Sequence, residues 1–295
     1  MMEHVTAGPL SIAYHEYGPG DGPVAILMHG FPYAPDCYAE VAAKLARKGM
    51  RSIVPYLRGY GETRFLSNET PRSGEQAALG ADLKALMDAL AIPSAVLAGY
   101  DWGGRAACIV SALWPERVTG LVSCGVGYNI QNIARANKPA PASEEARFWY
   151  MYYFHTERGR QALETDRAAF CHYIWTLWSP TWDFDEATYA RSAAAFENPD
   201  FVEIVIHSYR HRFGGIPGDP AVEKIEAELA AQPDITVPTI ILQGADDTVD
   251  PPPEKDTAKR HFTGPYERIV IQGAGHNPPQ ETPNVFAEAV LKLTQ

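Results

Sequence analysis

The chain has 295 residues, 46% of them apolar and 21% charged, with 25 Lys and Arg against 36 Asp and Glu for a formal net charge of -11. That length suits one large or two closely joined domains with a sizeable core. The acidic balance argues against a phosphate backbone or an anionic membrane as partner, so nucleic acid is not expected. The start of the chain carries no basic, apolar leader, and no run approaches about 18 apolar residues. A cytoplasmic protein without a membrane span is therefore expected. Cys37, Cys108, Cys124 and Cys171 show no C-x-x-C spacing and read as reduced thiols rather than a disulfide framework or a metal site.

In chain order, "SIAYHEYG" reads as a short strand, and Val24 to Met28 as a buried parallel strand closed by His29-Gly30. "CYAEVAAKLARKG" has helical spacing and ends on a Lys-Gly stop signal. "RSIVPYLRGYG" is a strand entering a glycine-rich loop, "GEQAALGADLKALMDALAI" a helix, "SAVLAGY" a strand, "GGRAACIVSALWPER" a helix and "VTGLVSCG" a strand. This alternation predicts a parallel sheet covered on both faces. From about Tyr128 to Pro233 the pattern becomes helical and aromatic. Strand and helix order then returns with "TVPTIILQGADD", a helix near "EKDTAKRHF", "YERIVIQGAGH" and a closing helix "TPNVFAEAVLKLT". The expected division is a core of residues 1–127 and 234–295 with a helical lid, 128–233, inserted into it.

The chemistry concentrates at the ends of three predicted strands. "GYDWGG" follows a strand and opens a helix, which is the setting of a nucleophile elbow, with Asp101 where a serine usually stands. The positive end of the helix favours an ionised carboxylate there. His276 lies in the glycine turn "QGAGHNPP" after the last strand, and Asp246 and Asp247 follow the strand before it. The G-x-x-D spacing from Gly244 favours Asp247 over Asp246 as the acid that orients His276, leaving Asp246 or Asp250 as caps. The "HGFP" loop offers the Phe31 amide, which with that of Trp102 would form an oxyanion hole, and Pro32 fixes the turn.

These motifs, "HGFP" at 29–32, "RGYGET" at 58–63, "GYDWGG" at 99–104, "GADD" at 244–247 and "GHNPPQETP" at 275–283, resemble the α/β-hydrolase superfamily in its aspartate-nucleophile branch of epoxide hydrolases and dehalogenases. The chain departs from that pattern at Tyr56, where the branch commonly has an acid. The resemblance implies an α/β-hydrolase fold, a mostly parallel sheet with helices on both faces and a helical cap. It also implies hydrolysis of an epoxide through an alkyl ester on Asp101, released by water that His276 activates.

In epoxide hydrolases two lid tyrosines hydrogen-bond the epoxide oxygen. "FWYMYYFHTERG" resembles the first tyrosine-bearing lid helix, with Tyr150 aligned and Tyr153 as alternative, and "HSYRHRF" the second, giving Tyr209. Trp102, Tyr153, His29 and Pro32 are expected against the substrate. No metal or cofactor is implied; the expected partners are a small apolar epoxide and water, with a homodimer left open. The alternative is a haloalkane dehalogenase with the same nucleophile, in which Trp102 and a lid tryptophan (Trp149, Trp175, Trp178 or Trp182) would cradle halide. A haloacetate dehalogenase is weaker, because such relatives hold the substrate carboxylate with arginines around the elbow and only Arg105 is near it in sequence.

Overall fold

The computed structural model describes residues 2–294. Its strands are β1 (Met2–Ala7), β2 (Leu10–Tyr17), β3 (Val24–Met28), β4 (Arg51–Pro55), β5 (Arg64–Phe65), β6 (Ala95–Gly99), β7 (Val118–Cys124), β8 (Thr239–Gly244) and β9 (Tyr266–Ile271). They form one sheet in the order β1-β2-β4-β3-β6-β7-β8-β9, with β5 pairing on β2. Every pair from β4 to β9 is parallel, whereas β1-β2 and β2-β4 are antiparallel. The central strands carry continuous apolar runs because helices cover both their faces. β6 is buried along its whole length. β1 is mostly exposed, so it lacks the apolar signal that betrays the others.

The core helices are α1 (Ala39–Arg47), α2 (Gln76–Ala89) and α3 (Asp101–Leu113). Between β7 and β8 come α4 (Ala142–Glu145), α5 (Trp149–Phe154), α6 (Glu157–Trp178), α7 (Glu186–Ala193), α8 (Phe201–Arg212) and α9 (Glu223–Leu229), and the chain closes with α10 (Pro278–Glu281) and α11 (Pro283–Lys292). α1 packs on α11 and α2 on α3, which supplies the layers on the sheet. The helix expected near "EKDTAKRHF" is only a single 3-10 turn, Ala258–His261, since the three prolines at 251–253 and the start of β9 leave no room for more. All four cysteines are free and buried. No helix among the described residues is long and apolar enough to cross a membrane.

The inserted helices are tied to the core by directed bonds as well as apolar packing. The Trp175 indole donates to the Pro32 carbonyl at 2.8 Å. The Ser179 hydroxyl donates to Glu281 at 2.7 Å, and Arg72 reaches Asp200 at 3.0 Å. α6 bends at Asp166, which leaves helical geometry (φ -153, ψ 67) and restarts the next turn by accepting from the Ala169 amide. On the core side, Arg58 of the "RGYGET" segment makes a buried bidentate pair with Asp82 (2.6 and 2.7 Å), fixing the loop after β4 to α2.

Candidate active site

β3 and β6 are neighbours with Met28 opposite Gly99, so the loops that follow them meet. Asp101 takes a left-handed backbone (φ 49), which turns the chain sharply from β6 into α3. Gly103 permits that turn, because a Cβ there would lie 2.0 Å from the Met28 carbonyl oxygen. Gly30 lets the loop after β3 close on Asp101, since its Cβ would meet that of Asp101 at 2.5 Å. The Phe31 amide consequently donates to Asp101 Oδ1 at 2.7 Å. α3 begins at Asp101, and Gly104 is the first amide to find an acceptor at this end, on the Tyr100 carbonyl at 3.0 Å. The Trp102 amide thus has no partner a turn earlier in the helix.

His276 Nδ1 lies 2.8 Å from Asp247 Oδ2, and both side chains are buried. Asp247 Oδ1 accepts from the Val249 and Asp250 amides, each at 2.9 Å. A carboxylate so placed holds a proton on Nδ1. Nε2 has no protein partner, and the imidazole borders a cavity of about 370 Å³ together with Asp101 and Tyr150. Burial pulls the His276 pKa down. The charge and hydrogen bond of Asp247, helped by Asp250 and Asp101, outweigh that and raise it to about 9. Asp246 does not reach the imidazole; its carboxylate accepts from Thr181 at 3.4 Å.

Two supports were not foreseen from sequence. Glu281 on α10 accepts from the Gly275 and Asn277 amides at 2.6 and 2.8 Å and from Ser179, whose oxygen in turn accepts from the His276 amide at 2.9 Å. Its place five residues after His276 in "HNPPQE" was the available signal. Asp250 is not simply a cap. It borders the cavity with Asp101 and His276, and burial with the charge of Asp247 lifts its pKa to about 6.

Tyr150, on α5, borders the cavity. Tyr209, on α8, is fully buried and does not itself border the cavity, and its hydroxyl has no hydrogen-bond partner. The two rings lie edge to face, 5.3 Å apart. Burial raises both phenol pKa values, Tyr209 next through Asp101, and Tyr150 next through Tyr209, with a smaller contribution from Asp101. The phenols therefore stay protonated close to the Asp101 carboxylate.

Other expected contacts lie elsewhere. Tyr153 is half-buried and packs within the lid on Trp149 and Phe170, so it does not border the cavity. His29 is fully buried; Nε2 accepts from the Leu57 amide (3.1 Å), Nδ1 faces the Gly30 carbonyl (3.1 Å), and burial lowers its pKa to about 4. Both ring nitrogens thus serve the backbone rather than substrate. Pro32 is buried and holds Trp175 through its carbonyl. Trp102 packs between Phe31 and Tyr209 without bordering the cavity, and its indole N–H has no acceptor. Trp178 does border the cavity, packs on His276 at 4.8 Å, and also has an unpartnered indole N–H.

Residues 23–282 match the family model for the alpha/beta hydrolase fold, and the chain belongs to that family. The crystal structure of a candidate epoxide hydrolase from Klebsiella pneumoniae is 48% identical, with a TM-score of 0.96 over 99% of this chain and 96% of that one. Epoxide hydrolase A of Mycobacterium tuberculosis is 26% identical over 94% of this chain and 92% of its own length. Epoxide hydrolase 3 of Siraitia grosvenorii is 35% identical over 45% of this chain; the match spans only 42% of that protein. Among α/β-hydrolases the chain is most like the epoxide hydrolases.

Proposed function

We propose that the protein hydrolyses an epoxide to a vicinal diol through a covalent ester on Asp101. The observation that carries this reading is the pair of buried phenols, Tyr150 and Tyr209, held protonated beside a carboxylate on a strained elbow. Phe31 occupies Asp101 Oδ1, so Oδ2 is the attacking oxygen. It forms a bond to one oxirane carbon as that carbon's bond to oxygen breaks, and a phenol delivers its proton to the departing alkoxide. Water then adds to the Asp101 carbonyl carbon while His276 Nε2 takes its proton. The oxyanion develops on Oδ1, where the Phe31 and Trp102 amides stabilise it. Collapse expels the diol and restores the carboxylate, and the proton on His276 returns through solvent to the phenolate.

A second reading, haloalkane hydrolysis, draws support from the unpartnered indole N–H of Trp178, which borders the cavity and suits a departing halide. Tyr209→Phe separates the two. It removes an acid the epoxide needs and the haloalkane does not, so turnover of styrene oxide should fall about 100-fold or more. Halide release from 1,2-dibromoethane that survives the change, with no epoxide turnover by the unaltered protein, would overturn the epoxide reading in favour of the other.

A further inference from the structure

Asp250 stands where two cavities meet. The reaction cavity, of about 370 Å³, and a neighbouring one of about 700 Å³ share Val126, Phe148 and Asp250 on their walls, and of these three only Asp250 can carry a proton. The second cavity reaches the surface, where Ser143, Glu144 and Pro251 on its wall are exposed.

The carboxylate that orients His276 also sets Asp250. Asp247 Oδ2 lies 2.8 Å from His276 Nδ1, and its Oδ1 accepts from the Asp250 amide at 2.9 Å. Gly125, just past the end of β7, leaves room for the Asp250 side chain, since a Cβ there would lie 3.2 Å from Oδ2. Among the described residues no protein group donates to the Asp250 carboxylate, so its oxygens are open to water. His276 Nε2 has no protein partner either, and water in the reaction cavity can join the two groups.

The charges around Asp250 act in both directions. Burial, and next the charges of Asp247 and Asp101, raise its pKa to about 6, against His276 and Arg212, which lower it. Asp250 in turn favours the charge on Arg105, and Glu144, Arg147 and Asp256 border the second cavity with it. A group whose affinity for the proton lies near ambient pH can both take one and release it.

The cycle needs such a group, because His276 is held protonated in the free protein yet must be neutral before it can take a proton from the hydrolytic water. We propose that Asp250 carries that proton out of the reaction cavity, taking it from His276 Nε2 through cavity water and releasing it to water in the neighbouring cavity. The phenolate left by ring opening recovers a proton from solvent, so the turnover as a whole releases none. This inference rests on the ester mechanism proposed above and adds the route by which its base is reset.

The test follows ester hydrolysis in single turnovers of styrene oxide, in dilute buffer near neutral pH. Asp250→Asn keeps the shape of the side chain and is expected to slow that step about tenfold or more, with added imidazole restoring it, because a small buffer can then carry the proton. A residue that acts on His276 only as a charge gives the opposite sign: its loss lowers the His276 pKa, leaves more of the neutral base and speeds the step. Hydrolysis in Asp250→Asn that is faster or unchanged overturns the proposal, as does a slow step that imidazole leaves unmoved. Asp250→Ala removes the group altogether and reads the same prediction where the amide unsettles the fold. If the unaltered protein forms no ester from styrene oxide, the reaction proposed above fails, and exchange of the His276 ring proton with water, followed by NMR on protein labelled with nitrogen-15 histidine, still decides the relay. The His276 signal is the one lost in His276→Gln. Asp250→Asn is expected to slow that exchange about tenfold or more; equal rates would contradict the relay.

Discussion

At the residue scale, the ionisation of His276 couples the two halves of the proposed cycle. In the free protein, Asp247, Asp250 and Asp101 together hold the imidazole protonated up to about pH 9. Forming the ester discharges Asp101 and removes one of those anions, so His276 loses its proton more readily at the stage where a base is needed. Transient kinetics should show the ester-hydrolysis step rising about tenfold per pH unit and levelling off below pH 9, with the preceding alkylation step free of that titration. A hydrolysis step that is flat between about pH 6 and pH 9 would contradict the base assigned to His276. The local motifs that single out Asp101 in "GYDWGG" and Asp247 in "GADD" were visible in the sequence, and the structure sets Asp247 against His276 and opens α3 on Asp101. Ser179 and Glu281 were not, because their roles are hydrogen bonds to the backbone around His276 that no local motif announces.

At the element scale, the site depends on how closely β3, β6 and α3 approach one another. Gly103 sits where α3 passes the end of β3, and a methyl group there would meet backbone rather than a side chain that can turn away. Gly103→Ala is therefore expected to destabilise the fold by about 3 kcal/mol, read as a lower midpoint in urea unfolding. A stability within about 0.5 kcal/mol of the unaltered chain would show that the elbow has slack. The central strands could be read from their apolar runs because burial on both faces imposes that composition. β1 and the two-residue β5 could not, since an exposed edge strand and a short bridge place little demand on their residues. The helix expected after β8 shrank to one turn for an equally local reason, the three-proline run at 251–253.

At the scale of the whole molecule, the insertion between β7 and β8 adds a wall of helices to the cavity over the strand ends. Asp101, Asp247, His276 and the Phe31 amide belong to the core, and Tyr150, Tyr209 and Trp178 to the inserted helices. The formal net charge of -11 is spread over the whole chain, whereas the cavity brings Asp101, Asp250 and Glu145 together with Arg105, Arg135, Lys138 and Arg212. Net charge, read from composition alone, could not reveal that mixture, which exists only once the chain has folded. The central claim is the covalent ester on Asp101, and a single turnover in oxygen-18 water, with protein in excess over epoxide, tests it most directly. Because water attacks the carbonyl carbon, the first diol should carry no heavy oxygen, and the label should appear in the peptide that contains Asp101. Heavy oxygen in the diol of that first turnover, with Asp101 unlabelled, would contradict it.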